Sequence, residues 1–125
     1  TIEKSLDNIL SIINKACTTM KLTNSVDELE DVINIIISKN NGSIEKITYN
    51  IPGFKEPLIR NISVSDVDSA KRFIKNINEN EDKQEYLNKL YDLSEYRNTV
   101  ICASNQEKID KIVEELKNKG YVLNE

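Results

Sequence analysis

The sequence predicts an α+β domain: two N-terminal helices, a β-hairpin, two further helices and a C-terminal β-α-β. Its four strands are expected in one mixed four-stranded sheet with helices mainly on one face. Three observations predict this. Apolar residues recur at threes and fours in separate segments, the mark of amphipathic helices. Alternation of period two is concentrated between Ile47 and Val64. Residues 99–123 run as an apolar strand, a capped helix, a glycine stop and a short apolar run. A chain of 125 residues is expected to form a single α+β domain, 1–125, with a helical hairpin over 1–41 and a sheet-containing part over 42–125.

Thr1 to about Lys21 reads as the first helix. Ile2, Leu6, Ile9, Leu10, Ile13, Cys17 and Met20 make its stripe. The stripe serves either as core or as a dimer seam, for which Ile2, Leu6, Ile9, Ile13 and Met20 are the interface candidates. Ser25 and Glu28 form a capping-box pattern that opens the second helix. Asp27, Glu28, Glu30 and Asp31 crowd its positive end. Val26, Leu29, Val32, Ile33, Ile36 and Ile37 share one face, and Ile35 widens it, so that end is expected to be covered on two sides.

Ile47, Tyr49 and Ile51 alternate with polar residues, then Pro52-Gly53 fits the centre of a type II turn. Leu58 to Val64 returns as the second strand of the hairpin. Ser65 caps the third helix, whose stripe is Val67, Ala70, Phe73, Ile74 and Ile77. The fourth runs from about Glu81 to Tyr96, with Tyr86, Leu87, Leu90 and Leu93 inward and Tyr91 on the flank. Thr99 to Ala103 is a buried strand, Ser104 and Glu107 form a capping box, and Ile109, Ile112, Val113 and Leu116 line the last helix. Gly120 takes the left-handed position that ends it, and Tyr121 to Leu123 resumes as a strand.

A composition of 38% hydrophobic and 30% charged residues is that of a folded globular chain. Net charge is −4, which opposes broad attraction to nucleic acid or an anionic membrane and favours a partner with a basic surface. No apolar run is long enough to span a bilayer, so the expected location is the cytoplasm. Cys17 and Cys102 both lie in apolar stretches and are expected as buried free thiols. A disulfide between them is the alternative and needs an oxidising compartment.

Chemistry is limited by what is missing. Histidine is absent, which removes Ser–His and Cys–His nucleophiles and the commonest general base. Two distant cysteines cannot fill a zinc shell. Asn78-Glu-Asn-Glu-Asp82 superficially resembles a calcium loop, but the sixth position is Lys83 and the twelfth is Lys89, where glycine and glutamate are needed. No phosphate loop is present. The expectation is therefore no metal, no cofactor and no catalytic residues.

Contact is the remaining trade. The hairpin tip, Phe54-Lys55-Glu56 between Gly53 and Pro57, offers an aromatic and a cation on a stiff loop, unless Phe54 folds back on the core. Arg60, Arg72 and Arg97 are the only arginines in a lysine-rich chain, and a planar fork suits anion contact. Phe54, Lys55, Arg60 and Arg97 are thus the binding candidates. The expected function is a non-catalytic interaction or regulatory protein, dimeric through its N-terminal helices. Alternatives are an acidic inhibitor or immunity-type protein blocking a basic nucleic-acid-binding enzyme, direct nucleic-acid binding, or a small metal-dependent enzyme.

Overall fold

The computed structural model describes residues 15–123. Strands β1 (Ala16–Leu22), β2 (Ser43–Tyr49), β3 (Leu58–Val64) and β4 (Arg97–Ala103) form one sheet in the order β1-β4-β2-β3. Helix α1 (Leu29–Ile33) continues as a π-helical turn over Asn34–Lys39 between β1 and β2. Helices α2 (Val67–Glu79) and α3 (Glu81–Leu93) separate β3 from β4, and α4 (Gln106–Asn118) follows. The chain is α+β with one four-stranded sheet, but all strand pairs are antiparallel, so the expected mixed sheet is corrected.

Two further elements differ from the sequence expectation. Ala16–Leu22 is a strand where the first helix was expected to continue. Its side chains also alternate, with Thr18 and Thr19 β-branched, and seven residues pair in register with β4. That long-range ladder outweighs the local helical spacing. Ile2, Leu6, Ile9 and Ile13 lie outside the described residues, while Met20 is buried opposite Thr99 and belongs to the core. At the other end, Tyr121–Leu123 forms no full strand. It makes a single antiparallel bridge, Leu22 to Val122, beside β1. The C-terminal β-α-β is corrected accordingly.

The same β1–β4 register sets Cys17 opposite Cys102, and the two are joined as a disulfide. The expectation of buried free thiols is overturned, and the alternative, a disulfide between them, is the one formed. The bond links an exposed residue on β1 to a buried one on β4, 85 positions apart.

Local rules explain the helix ends. Asp66, one residue after the expected Ser65, accepts from Ser69 N–H at 2.7 Å, and Ser69 Oγ accepts from the Asp66 N–H at 3.1 Å. Asn80 caps α3 through the Lys83 N–H, 3.1 Å. Asn105, not Ser104, caps α4 through Lys108 N–H, 2.9 Å. Asparagine competes equally with serine for this place. Only half of the Ser25 box forms: Glu28 accepts from the Ser25 N–H, 2.8 Å, and α1 starts at Leu29 with no side-chain cap. Gly120, at φ 77°, ends α4 in a Schellman motif, with Tyr121 N–H on Leu116 O and Gly120 N–H on Lys117 O.

One face of the sheet, carrying Met20, Leu22, Ile44, Ile47, Tyr49, Thr99 and Ile101, is buried with Ile109, Ile112 and Leu116 of α4. On the other face Cys17, Thr19 and Asn61 are exposed and Lys46, Thr48 and Val100 half-buried. Ile35, Ile36 and Ile37 are consecutive and all buried, because the π-helical turn is enclosed by β2, α2 and α4. Gly42 makes this enclosure feasible. A Cβ there would lie 2.8 Å from Ile36 O and 3.1 Å from both Cys102 O and Ile112 Cδ1. Two of these neighbours are backbone and cannot swing away. Gly42→Ala is expected to destabilise the fold by about 1–3 kcal/mol, the usual range for overpacking. A lower urea midpoint at unchanged m-value checks it; an unchanged midpoint refutes this packing.

Candidate functional site

The site grows from one end of the sheet. β4 enters with Arg97, paired across to Tyr49 of β2 and Leu22 of β1. All three side chains project to the helix side, where Arg97 is 3% exposed. Its Nη2 donates to the Asn24 carbonyl in the β1–α1 loop. Its guanidinium lies 3.9 Å from the centroid of the Tyr91 ring of α3. A buried cation without a carboxylate needs such partners: a carbonyl dipole and an aromatic face. Burial lowers the Arg97 pKa, and the neighbouring Tyr91 and Tyr49 oppose that.

Tyr91 and Tyr49 stack at 6.3 Å with rings tilted by 58°. Burial pushes Tyr91 up to about 12, eased by the Arg97 charge. Burial also raises Tyr49, opposed by the Arg60 guanidinium beside its hydroxyl. Arg97, Tyr91, Tyr49 and Arg60 therefore form a ladder from the interior to the surface. It ends at a groove of about 330 Å³ between β3 and α3. Leu58, Ile59 and Arg60 form one wall; Lys83, Tyr86 and Leu87 form the other, with Ile77 and Leu90 below. Among the described residues no carboxylate lines it. Glu85 is paired to Lys89 and Glu79 to Lys75, whereas Arg60 and Lys83 have no ion-pair partner among the described residues.

The four binding candidates are thus divided. Arg60 is at the groove. Arg97 is enclosed and serves packing. Phe54 does not fold back on the core; it is 68% exposed. With Lys55 it borders a separate hollow of about 360 Å³, closed by Asn50, Glu95 and Tyr96. Asn50 Nδ2 is buried there without a hydrogen-bond partner. Lys21 stands 5.4 Å over the Tyr96 ring.

The groove residues Leu58, Ile59, Lys83 and Tyr86 were not among the sequence candidates. Tyr86 and Leu93 were expected to face inward; they are 55% and 54% exposed. Leu87, Leu90, Tyr91 and Ser94 form the inward stripe instead, a correction that the spacing 0, 3, 4, 7 could have revealed. The available signal for the groove was Leu58, apolar on the same strand face as Arg60.

The acidic start of α1 is dispersed. Glu28 holds the Ser25 N–H. Asp31 accepts from the Tyr121 hydroxyl at 2.7 Å and lies 3.7 Å from Lys119. Asp27 and Glu30 border a hollow of about 350 Å³ floored by Leu29, Ile74 and Ile77. Among the described residues no three carboxylates or thiols converge as a metal cage requires. No helix of the described residues is long and apolar enough to cross a membrane.

These features define a two-layer α+β domain, an antiparallel sheet with helices packed on one face and a cationic, apolar groove at one edge. Residues 17–125 match the family model of the 3H domain, and the chain belongs to that family. It is also similar to an uncharacterized protein of Methanothermus fervidus, 39% identical over 89 residues. That match covers 70% of this chain and 14% of the length of the relative.

The tyrosines give a pH test. Tyr91 is held at about 12 by burial, and Tyr121 at about 12 by its bond to Asp31. In the open chain both ionise near pH 10. The folded state binds more protons between these values, so the stability they add is complete below pH 10 and is lost as pH rises to 12. Urea midpoints are expected to fall across that window, and Tyr91→Phe, which keeps a ring under Arg97, is expected to flatten the fall. An equal slope in the variant contradicts the burial of the hydroxyl.

Proposed function

We propose that this 3H domain is a non-catalytic interaction module, regulating or assembling a larger system by contact with another protein. The observation that carries the proposal is the groove along β3. It combines exposed apolar side chains, Leu58 and Tyr86, with two cations, Arg60 of β3 and Lys83 of α3, that have no ion-pair partner among the described residues. Exposed apolar groups grouped in this way mark contact surfaces, whereas scattered ones do not.

Two points support a module rather than an enzyme. The strongly cationic or buried groups, Arg97, Tyr91 and Tyr49, are spent on one another in packing. The relative from Methanothermus fervidus is far longer than this chain, as expected of a unit used within larger proteins. The partner is another protein; a dimer through residues 1–14 is not needed for this reading.

Leu58→Asp and Tyr86→Ser, both at exposed positions, are expected to change stability by less than about 1 kcal/mol. Each is expected to weaken binding to a partner captured from cell extract and then purified by about tenfold or more, the usual effect of losing an apolar anchor. Titration calorimetry on the purified pair reads this. Undiminished affinity in both variants rejects the groove as the contact surface.

A further inference from the structure

We propose that the free edge of β3 receives an extended acidic segment of another protein as a fifth strand. The inference rests on the interaction reading above and names its partner chemistry. The two edges of the sheet are treated differently by the chain. Along β1, Thr23 N–H donates to Tyr121 O at 2.7 Å and Leu123 N–H to Lys21 O at 2.9 Å, so the chain covers part of its own edge. Along β3, no described residue pairs with the outer side. Edge strands are normally blunted by proline, by bulges or by several charges. β3 reads Leu-Ile-Arg-Asn-Ile-Ser-Val, with no proline and one charge; its register against β2 shifts between Asn61 and Val64, so the regular stretch it offers is Leu58–Asn61.

Strand addition supplies main-chain hydrogen bonds, and pockets for alternate side chains supply selectivity. The groove is placed to read such alternate side chains. Leu58 and Arg60 lie two residues apart on β3, opposite Tyr49 and Ile47, on the helix side of the sheet. Side chains of a fifth strand on that side recur at about 6.6 Å, two residues of rise. They enter the space between β3 and the Lys83–Tyr86–Leu87 wall of α3. Apolar side chains match Leu58, Tyr86 and Leu87. One carboxylate matches Arg60 and Lys83, neither of which has an ion-pair partner among the described residues.

Charge disfavours the obvious alternative, a second copy pairing β3 to β3, in every register that brings Arg60 near Arg60, because β3 carries no carboxylate to relieve it. The chain's net charge of −4 opposes an acidic segment at long range. At contact the two nearby cations dominate, because charges beyond about 8 Å are screened at physiological salt.

The test uses two labelled, end-blocked heptapeptides: Thr-Val-Thr-Glu-Thr-Val-Thr, and the same sequence with Lys for Glu. Fluorescence anisotropy against the full chain is expected to show binding of the acidic peptide and at least about tenfold weaker binding of the basic one. Arg60→Glu combined with Lys83→Glu is expected to reverse the preference. An acidic peptide with both valines replaced by proline, which alters the side chains and removes two main-chain donors, is expected to lose binding. Amide NMR shifts on binding are expected on β3 and α3. Equal affinity for both peptides, no binding up to about 1 mM, or shifts confined to the hairpin hollow overturns the proposal. If the acidic peptide fails while Leu58→Asp still weakens binding of a purified partner, strand addition is wrong and the interaction reading stands. If both fail, neither stands.

Discussion

The burial of Arg97 is the constraint on which the rest of the structure depends. A guanidinium that is 3% exposed and has no carboxylate partner among the described residues must be solvated by the protein itself. The Asn24 carbonyl supplies one part and the face of Tyr91 the other. That requirement ties together the β1–α1 loop, the start of β4 and the far end of α3. It also sets how α3 is turned about its axis. With 100° between successive helical residues, bringing Tyr91 over the cation carries Leu87, Leu90 and Ser94 inward and leaves Tyr86 out. Tyr86 then becomes a wall of the groove. An internal electrostatic need thereby shapes a surface.

The sheet explains why the groove stands open. β4 lies between β1 and β2, so the two edges are β1 and β3. The β1 edge is linked to β4 by the Cys17–Cys102 disulfide and partly paired with residues after α4. The β3 edge has neither device. Its cation Arg60 is left near the surface because Tyr49, its neighbour on β2, is already stacked on Tyr91. Arg97, Tyr91 and Tyr49 are committed to one another inside, and the proposed contact surface lies along β3.

Much of this was legible in the residues. The hairpin around Pro52-Gly53, α2, β4, α4 and the stop at Gly120 follow from turn chemistry, alternation and capping, which are local. β1 was not, because Ile13, Cys17 and Met20 satisfy a helical spacing while Ala16–Leu22 also alternates. Only pairing with β4, some 80 residues away, decides between them. The disulfide was hidden by the same choice. Asn105 displaced Ser104 as a cap because the two are chemically equivalent there. Arg60 was found through its residue type, but Lys83 and Tyr86 meet it only through the turn of α3, which Arg97 dictates. Arg97 drew attention for its planar fork as an anion contact, but the fork lies inside the molecule, on the Asn24 carbonyl and the Tyr91 ring.

The most direct measurement is residue-resolved amide hydrogen exchange on the chain alone. The account predicts that the outward-pointing amides of β3 exchange rapidly while their neighbours bonded to β2, and the amides of β4, are strongly protected. Uniform, β4-like protection along β3 would mean that this edge is already covered, and would contradict the account.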